Sequence, residues 1–148
     1  MRMLLFFLAM LVMGLGSPGR CAGADGKVAD EESLRNFLVG EYDVIGRRPD
    51  SGKTYAGKAT LRLEGEKLLV TRTIEGKTEK GTVKFDTVAG GDRIPVLRMR
   101  FKFEGEEYEA TYRWQSDPDN YARLTGLVYR PDQRTKTPGL EAFFPRQK

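Results

Sequence analysis

The sequence predicts an all-β chain, an eight-stranded antiparallel up-and-down barrel with a short N-terminal helix. Three observations carry this expectation. Glu64-Gly65-Glu66, Glu75-Gly76-Lys77 and Glu104-Gly105-Glu106 each join two runs whose apolar residues alternate with polar ones, the pattern of half-buried strands linked by two-residue hairpin loops. Eight such runs follow one another, separated by short connections rich in Gly, Pro, Asn and Asp. No connection is long enough for a Greek-key crossover, so strands adjacent in sequence are expected to be adjacent in space. A two-layered or open sheet is the competing architecture. Closure is favoured because it removes the exposed edges.

The elements follow in order. Arg2, an apolar run from Met3 to Leu15, helix breakers at Gly14, Gly16 and Pro18, and the small-x-small site Ala22-Gly23-Ala24 read as a secretory signal peptide over 1–24. The run is shorter than the ~20 residues of a membrane span. Cys21 offers a lipoprotein alternative, against which Arg20 stands, because a small residue is expected before an acylated cysteine. Residues 25–30 read as a polar tail. Residues 31–39 have helical spacing, with Leu34, Phe37 and Leu38 on one side and Gly40 as the stop. Strands are expected over 41–47, 54–64, 67–75, 78–87, 94–104, 107–115, 121–130 and 140–145, all within one domain spanning 40–148.

Composition narrows the chemistry. Cleavage after Ala24 leaves 124 residues without a cysteine or a histidine, which excludes disulfides, thiolate or imidazole catalysis and ordinary zinc sites. Loss of Arg2 and Arg20 leaves 23 basic against 21 acidic residues, so the net charge falls from +4 to about +2. That small excess argues against a nucleic-acid partner. Glu106, Glu107 and Glu109 bracket a hairpin and read as solvated carboxylates rather than a glycosidase pair. Asp117, Asp119 and Asn120 read as a turn rather than a calcium loop. Arg93, Arg98, Arg100, Lys102 and Arg113 form a basic stripe that could meet an acidic envelope component. The expected protein is therefore not an enzyme and carries no cofactor or metal.

The turns also set register. With each loop opening on its glycine, Leu63 faces Leu68, Arg72 faces Gly81, Val70 faces Val83, Phe101 faces Ala110 and Leu97 faces Trp114. The interior then receives Tyr42, Val44, Tyr55, Leu61, Leu63, Leu68, Val70, Val83, Phe85, Leu97, Met99, Phe101, Phe103, Tyr108, Tyr112 and Trp114. An eight-stranded barrel is either filled by such side chains or holds one small ligand. Arg72 is the exception on this face. A buried guanidinium must be paired, and Glu79, diagonally opposite, is the expected partner. The alternative is an acidic ligand held by Arg72 with Tyr42, Tyr55, Tyr112 and Trp114 around it.

Gly40-Glu41-Tyr42 after a short helix resembles the Gly-x-Trp opening of the calycin superfamily, with tyrosine for tryptophan, and Arg146 is the counterpart of the basic residue that packs across that aromatic. A closer resemblance covers nearly all of the chain after the leader. Gly40-x-Tyr42-x-Val44-x-Gly46, Pro49-Asp50, Tyr55-x-Gly57, Leu124-x-Gly126 and Gly139-x-Glu141-x-Phe143-x-Pro145 are similar to the signature of small exported bacterial lipocalin-like proteins. Arg48 stands where that signature has asparagine, and one extra residue precedes Tyr55. The resemblance implies a barrel and export to the periplasm or the extracellular space, and transfers no active site. Two functions are expected from these readings together. One is a binding module for a small hydrophobic or aromatic ligand, including an acidic one; the other is a solid-cored module acting through its outer face and loops.

Overall fold

The computed structural model describes residues 23–88, 93–114, 122–131 and 135–146. One helix, α1 (Gly23–Leu38), precedes eight strands: β1 (Gly40–Arg47), β2 (Thr54–Glu64), β3 (Lys67–Ile74), β4 (Lys77–Val88), β5 (Ile94–Phe103), β6 (Glu106–Trp114), β7 (Leu124–Tyr129) and β8 (Gly139–Pro145). Each strand pairs antiparallel with the next, and β8 returns to β1 with Phe143 opposite Val44, so the sheet closes in chain order. This is the barrel that the sequence predicts. The sandwich alternative does not apply.

Alternation explains which side chains fill it. Along β1, Tyr42 and Val44 are buried while Glu41, Asp43 and Ile45 are exposed, as a period of two requires. Leu61, Val70, Leu97, Met99, Tyr112, Leu124 and Phe143 are fully buried in one core. Each large apolar side chain so placed contributes about 1.5–3 kcal/mol. Up-and-down winding gives the barrel two distinct ends. The helix end carries the start of β1 and the Gly65 turn; the turn end carries the Glu75-Gly76 and Glu104-Gly105 turns. At the helix end Leu38 is buried, Leu34 and Phe37 pack on the core, and the Tyr42 hydroxyl donates to the Leu38 carbonyl at 2.7 Å. That bond satisfies a carbonyl left free by the end of the helix.

Three expectations need correction. The helix begins at Gly23, so residues 25–30, read as a tail, are helical; a polar composition does not prevent helix formation. The Glu31–Arg35 pair, four residues apart at 3.2 Å, supports its second half. The register at two hairpins differs by two residues. Arg72 lies opposite Glu79 and Phe101 opposite Tyr108, because the loops are Glu75-Gly76 and Glu104-Gly105 and not pairs opening on glycine. Both residues of each loop have positive φ (+50° and +80°; +53° and +84°), the signature of a type I′ turn. Gly65 does open its loop, at φ +60°, and Leu63 faces Leu68 as expected. A two-residue slip keeps every side chain on its face, so the interior survives the error. The leader up to residue 22, Cys21, and Asp117, Asp119 and Asn120 lie outside the described residues.

Candidate functional site

Arg72 projects inward from β3 beside Ala59 of β2, whose small side chain leaves it room. Its guanidinium crosses the lumen to Glu141 of β8, and its carbon centre lies 3.6 Å from the centre of the Phe101 ring. The Glu141 carboxylate also accepts hydrogen bonds from the Tyr55 hydroxyl at 2.7 Å and from the Tyr112 hydroxyl. Arg72 and Glu141 are each 3% exposed. The expected partner, Glu79, is not the one used. It sits directly across the hairpin and half-exposed near the barrel end, whereas Glu141 is fully desolvated and already anchored by two hydroxyls.

Two glycines make space for these rings. A β-carbon at Gly46 would stand 2.3 Å from the Tyr55 ring, and one at Gly126 would stand 2.7 Å from the Tyr112 ring. Burial pushes the phenolic pKa of Tyr55 and Tyr112 far up, and the neighbouring Glu141 charge pushes the same way. For Arg72, burial alone would lower the pKa; Glu141 and the two tyrosines outweigh it, so the cation is held.

Arg48 lies above this cluster at the turn end. Its two terminal nitrogens donate to Glu104 and Glu75, each at 2.8 Å, so one side chain ties together the tips of two hairpins. Its guanidinium stacks 4.4 Å from the Phe103 ring centre. Hydrogen bonds from Lys77 and Arg48 draw the Glu104 carboxyl down to about 2. Between Arg48 and Arg72 lies a cleft of about 20 Å³ walled by Pro49, Tyr55, Ile74, Phe101, Phe103, Tyr108 and Val128. That volume is on the scale of a single water. The Nε–H groups of Arg48 and Arg72 are both buried and have no acceptor among the described residues.

The structure thus brings Arg72, Tyr55 and Tyr112 together and leaves the other two predicted residues apart. Tyr42 bonds to Leu38 at the helix end, and Trp114 meets Phe85 edge-on at 6.3 Å beside Leu34. Arg146 lies 3.6 Å from Asp43 and 3.7 Å from Glu41, on the outer face, rather than across Tyr42. On the outer face too, Glu109 is buried rather than solvated. It accepts from Arg98 at 3.0 Å, Arg100 at 2.6 Å and Tyr129 at 2.7 Å, and Lys102 lies 3.7 Å from Glu107, so much of the basic stripe is neutralised in place.

Sequence reasoning missed Glu141 and Arg48. Glu141 stands two residues before Phe143 and therefore on its face, the one signal that could have found it. Fold and site define a class: a closed up-and-down barrel whose lumen is filled by apolar side chains and one hydrogen-bonded charge cluster. No family model and no curated protein matches the chain.

Proposed function

We propose that the protein is an exported, non-enzymatic barrel that binds a small hydrophobic or aromatic ligand at the mouth of its turn end. The observation that carries this reading is the aromatic-walled cleft at the turn end, lined by Arg48 and Arg72, whose buried Nε atoms have no acceptor among the described residues. Buried donors without acceptors are uncommon, and at a mouth they mark where a ligand's acceptor belongs. Because the lumen below is packed, the ligand inserts only a head group and lays its apolar body against Phe103 and Ile74. Native mass spectrometry of the protein purified from its own host tests this. A co-purifying small molecule that is lost in Arg48→Met supports the mouth; an adduct that Arg48→Met retains, or a clean apoprotein, overturns it.

A second reading rests on the outer face. Ile45, Leu127 and Leu140 are 57%, 48% and 49% exposed, and Leu127 pairs directly with Leu140 while Ile45 pairs with Ala142 beside it. Such a patch suits contact with another macromolecule, an envelope component included. Ile45→Glu would abolish that association and leave ligand binding at the mouth intact.

A further inference from the structure

The exposed apolar face along the β1–β8 ladder is laid out so that it matches itself. We propose that its partner is a second copy of this chain, docked face to face about a two-fold axis that crosses β1 and β8 at Ile45 and Ala142, an inference that rests on the outer-face reading above.

Three of the six large hydrophobics exposed among the described residues, Ile45, Leu127 and Leu140, lie on this face. Register sets its layout. Ile45 pairs with Ala142; two residues toward the turn end Arg47 pairs with Leu140, and two residues toward the helix end Asp43 pairs with Phe144. These side chains point outward, because successive residues of a strand alternate between faces and the intervening Val44, Glu141 and Phe143 are buried. The face therefore has a central row of Ile45 and Ala142 and two outer rows. Each outer row sets one charge beside one large apolar side chain, and the two charges have opposite sign.

A two-fold contact brings residue i against residue j and j against i. With the axis along the central row, each strand runs antiparallel to its copy and the outer rows exchange. Asp43 then faces the partner's Arg47, and Leu140 faces the partner's Phe144, each contact occurring twice. Ile45 meets the partner's Ile45 at the axis. Both charges are available for this. Arg47 is exposed and has no ion-pair partner among the described residues, and Asp43 is held there by Arg146 alone, at 3.6 Å. The other face-to-face two-fold, with its axis along the strands, sets Asp43 against Phe144 and Arg47 against Leu140, and so buries each ion without a counter-ion. Two convex barrel walls touch over a limited area, which places the dimer among the smaller and more readily dissociating interfaces.

Sedimentation equilibrium of the protein purified from its host in its exported form, and of variants prepared in the same way, tests the inference. The wild-type mass is expected to climb from one chain toward two between about 1 μM and 1 mM. Ile45→Glu, Asp43→Arg and Arg47→Glu are each expected to weaken self-association about tenfold or more, the last two because like charges then face each other across the axis. Unchanged urea midpoints check that these surface variants fold. Asp43→Arg and Arg47→Glu mixed in equal amounts are expected to regain the dimer, because each chain then carries the charges that complement the other. A wild type that remains a single chain over the whole range would overturn the second-copy inference and leave the face to a different macromolecule. A wild-type dimer that the mixture of charge variants does not regain would overturn the two-fold geometry. A dimer that Ile45→Glu leaves intact would lie on another surface, and would overturn the outer-face reading together with the inference.

Discussion

Glu141 is the acceptor on which the buried polar cluster depends, and its loss and that of Arg72 are not equivalent. Removing one member of a buried pair leaves the other charge unpaired, at a typical cost of about 3–5 kcal/mol. Arg72→Met is therefore expected to lower the unfolding free energy in urea by that amount. In Arg72→Met combined with Glu141→Gln, no charge is stranded and the amide oxygen still accepts from the Tyr55 and Tyr112 hydroxyls. The double variant is expected to recover most of the loss, and strictly additive costs would count against a coupled cluster. The tyrosines give an independent readout. Their raised pKa values mean that the native state resists phenolate formation, so this contribution to stability is complete below the unfolded value of about 10 and is lost as pH climbs toward the folded values. Absorbance at alkaline pH should register the phenolates of Tyr55 and Tyr112 only together with unfolding. Arg72 was legible in the sequence because a cation interrupts an apolar face. Glu141 was not, because Leu140, Ala142 and Phe144, on the opposite face of β8, are apolar too, and alternation there carries no contrast.

The hairpins were legible in existence and in facing, but not in exact pairing. Glu-Gly-Lys and Glu-Gly-Glu allow the glycine to be first or second in a two-residue loop, and Glu75 and Glu104 take the first position in αL geometry at φ +50° and +53°. For a non-glycine residue αL costs roughly 1–2 kcal/mol. Both of these glutamates are the ones that hold Arg48. Strained turn residues and the bridge across the mouth are thus the same groups, a placement that sequence pattern cannot reveal because Arg48 is 27 and 56 residues distant from them. Replacing both glutamates by glycine relieves the strain and releases the bridge. Loss of the largely exposed pairs and the added freedom of two glycines in the unfolded chain oppose that relief. The urea midpoint is expected to change little, while hydrogen exchange at Arg48 Nε accelerates several-fold. A large loss of stability would mean that the bridge, and not the turn, fixes the hairpins.

At the scale of the whole barrel, closure leaves no edge to fray, so acid is expected to act through the ties at its turn end. Glu104 is drawn down to about 2 by Lys77 and Arg48, and Asp50 is lowered by the backbone N–H groups of Thr137 and Lys136, which bond it at 2.9 and 2.8 Å. These two carboxylates lock the loop after β1 to the β5–β6 turn and to the segment before β8. Elsewhere Asp86 is lowered chiefly by the Thr87 amide and Arg98, and Glu109, which burial alone would raise, is held down by Tyr129, Arg100 and Arg98. Every one of these groups has a folded value below its unfolded one of about 4. Its contribution is therefore complete above about pH 4.5 and lost as pH falls toward 2. The midpoint of urea unfolding should be flat from pH 7 to about 5 and then fall. Within that window the turn end should loosen before the helix end, because the helix end is held chiefly by Leu38, Phe37 and the neutral Tyr42 bond, none of which titrates in acid, and of the carboxylates named above only Asp86, in its exposed pair with Arg98, weakens there. Amide exchange at Asp50, Lys136 and Thr137 should thus rise between pH 4.5 and 2.5 while that of β1 and β2 near Tyr42 and Leu61 stays protected. Glu104→Gln should flatten part of the acid slope by lowering the neutral plateau slightly, because the contribution that acid removes is then absent throughout. Uniform loss of protection around the barrel would show that the turn end and the helix end open as one cooperative unit.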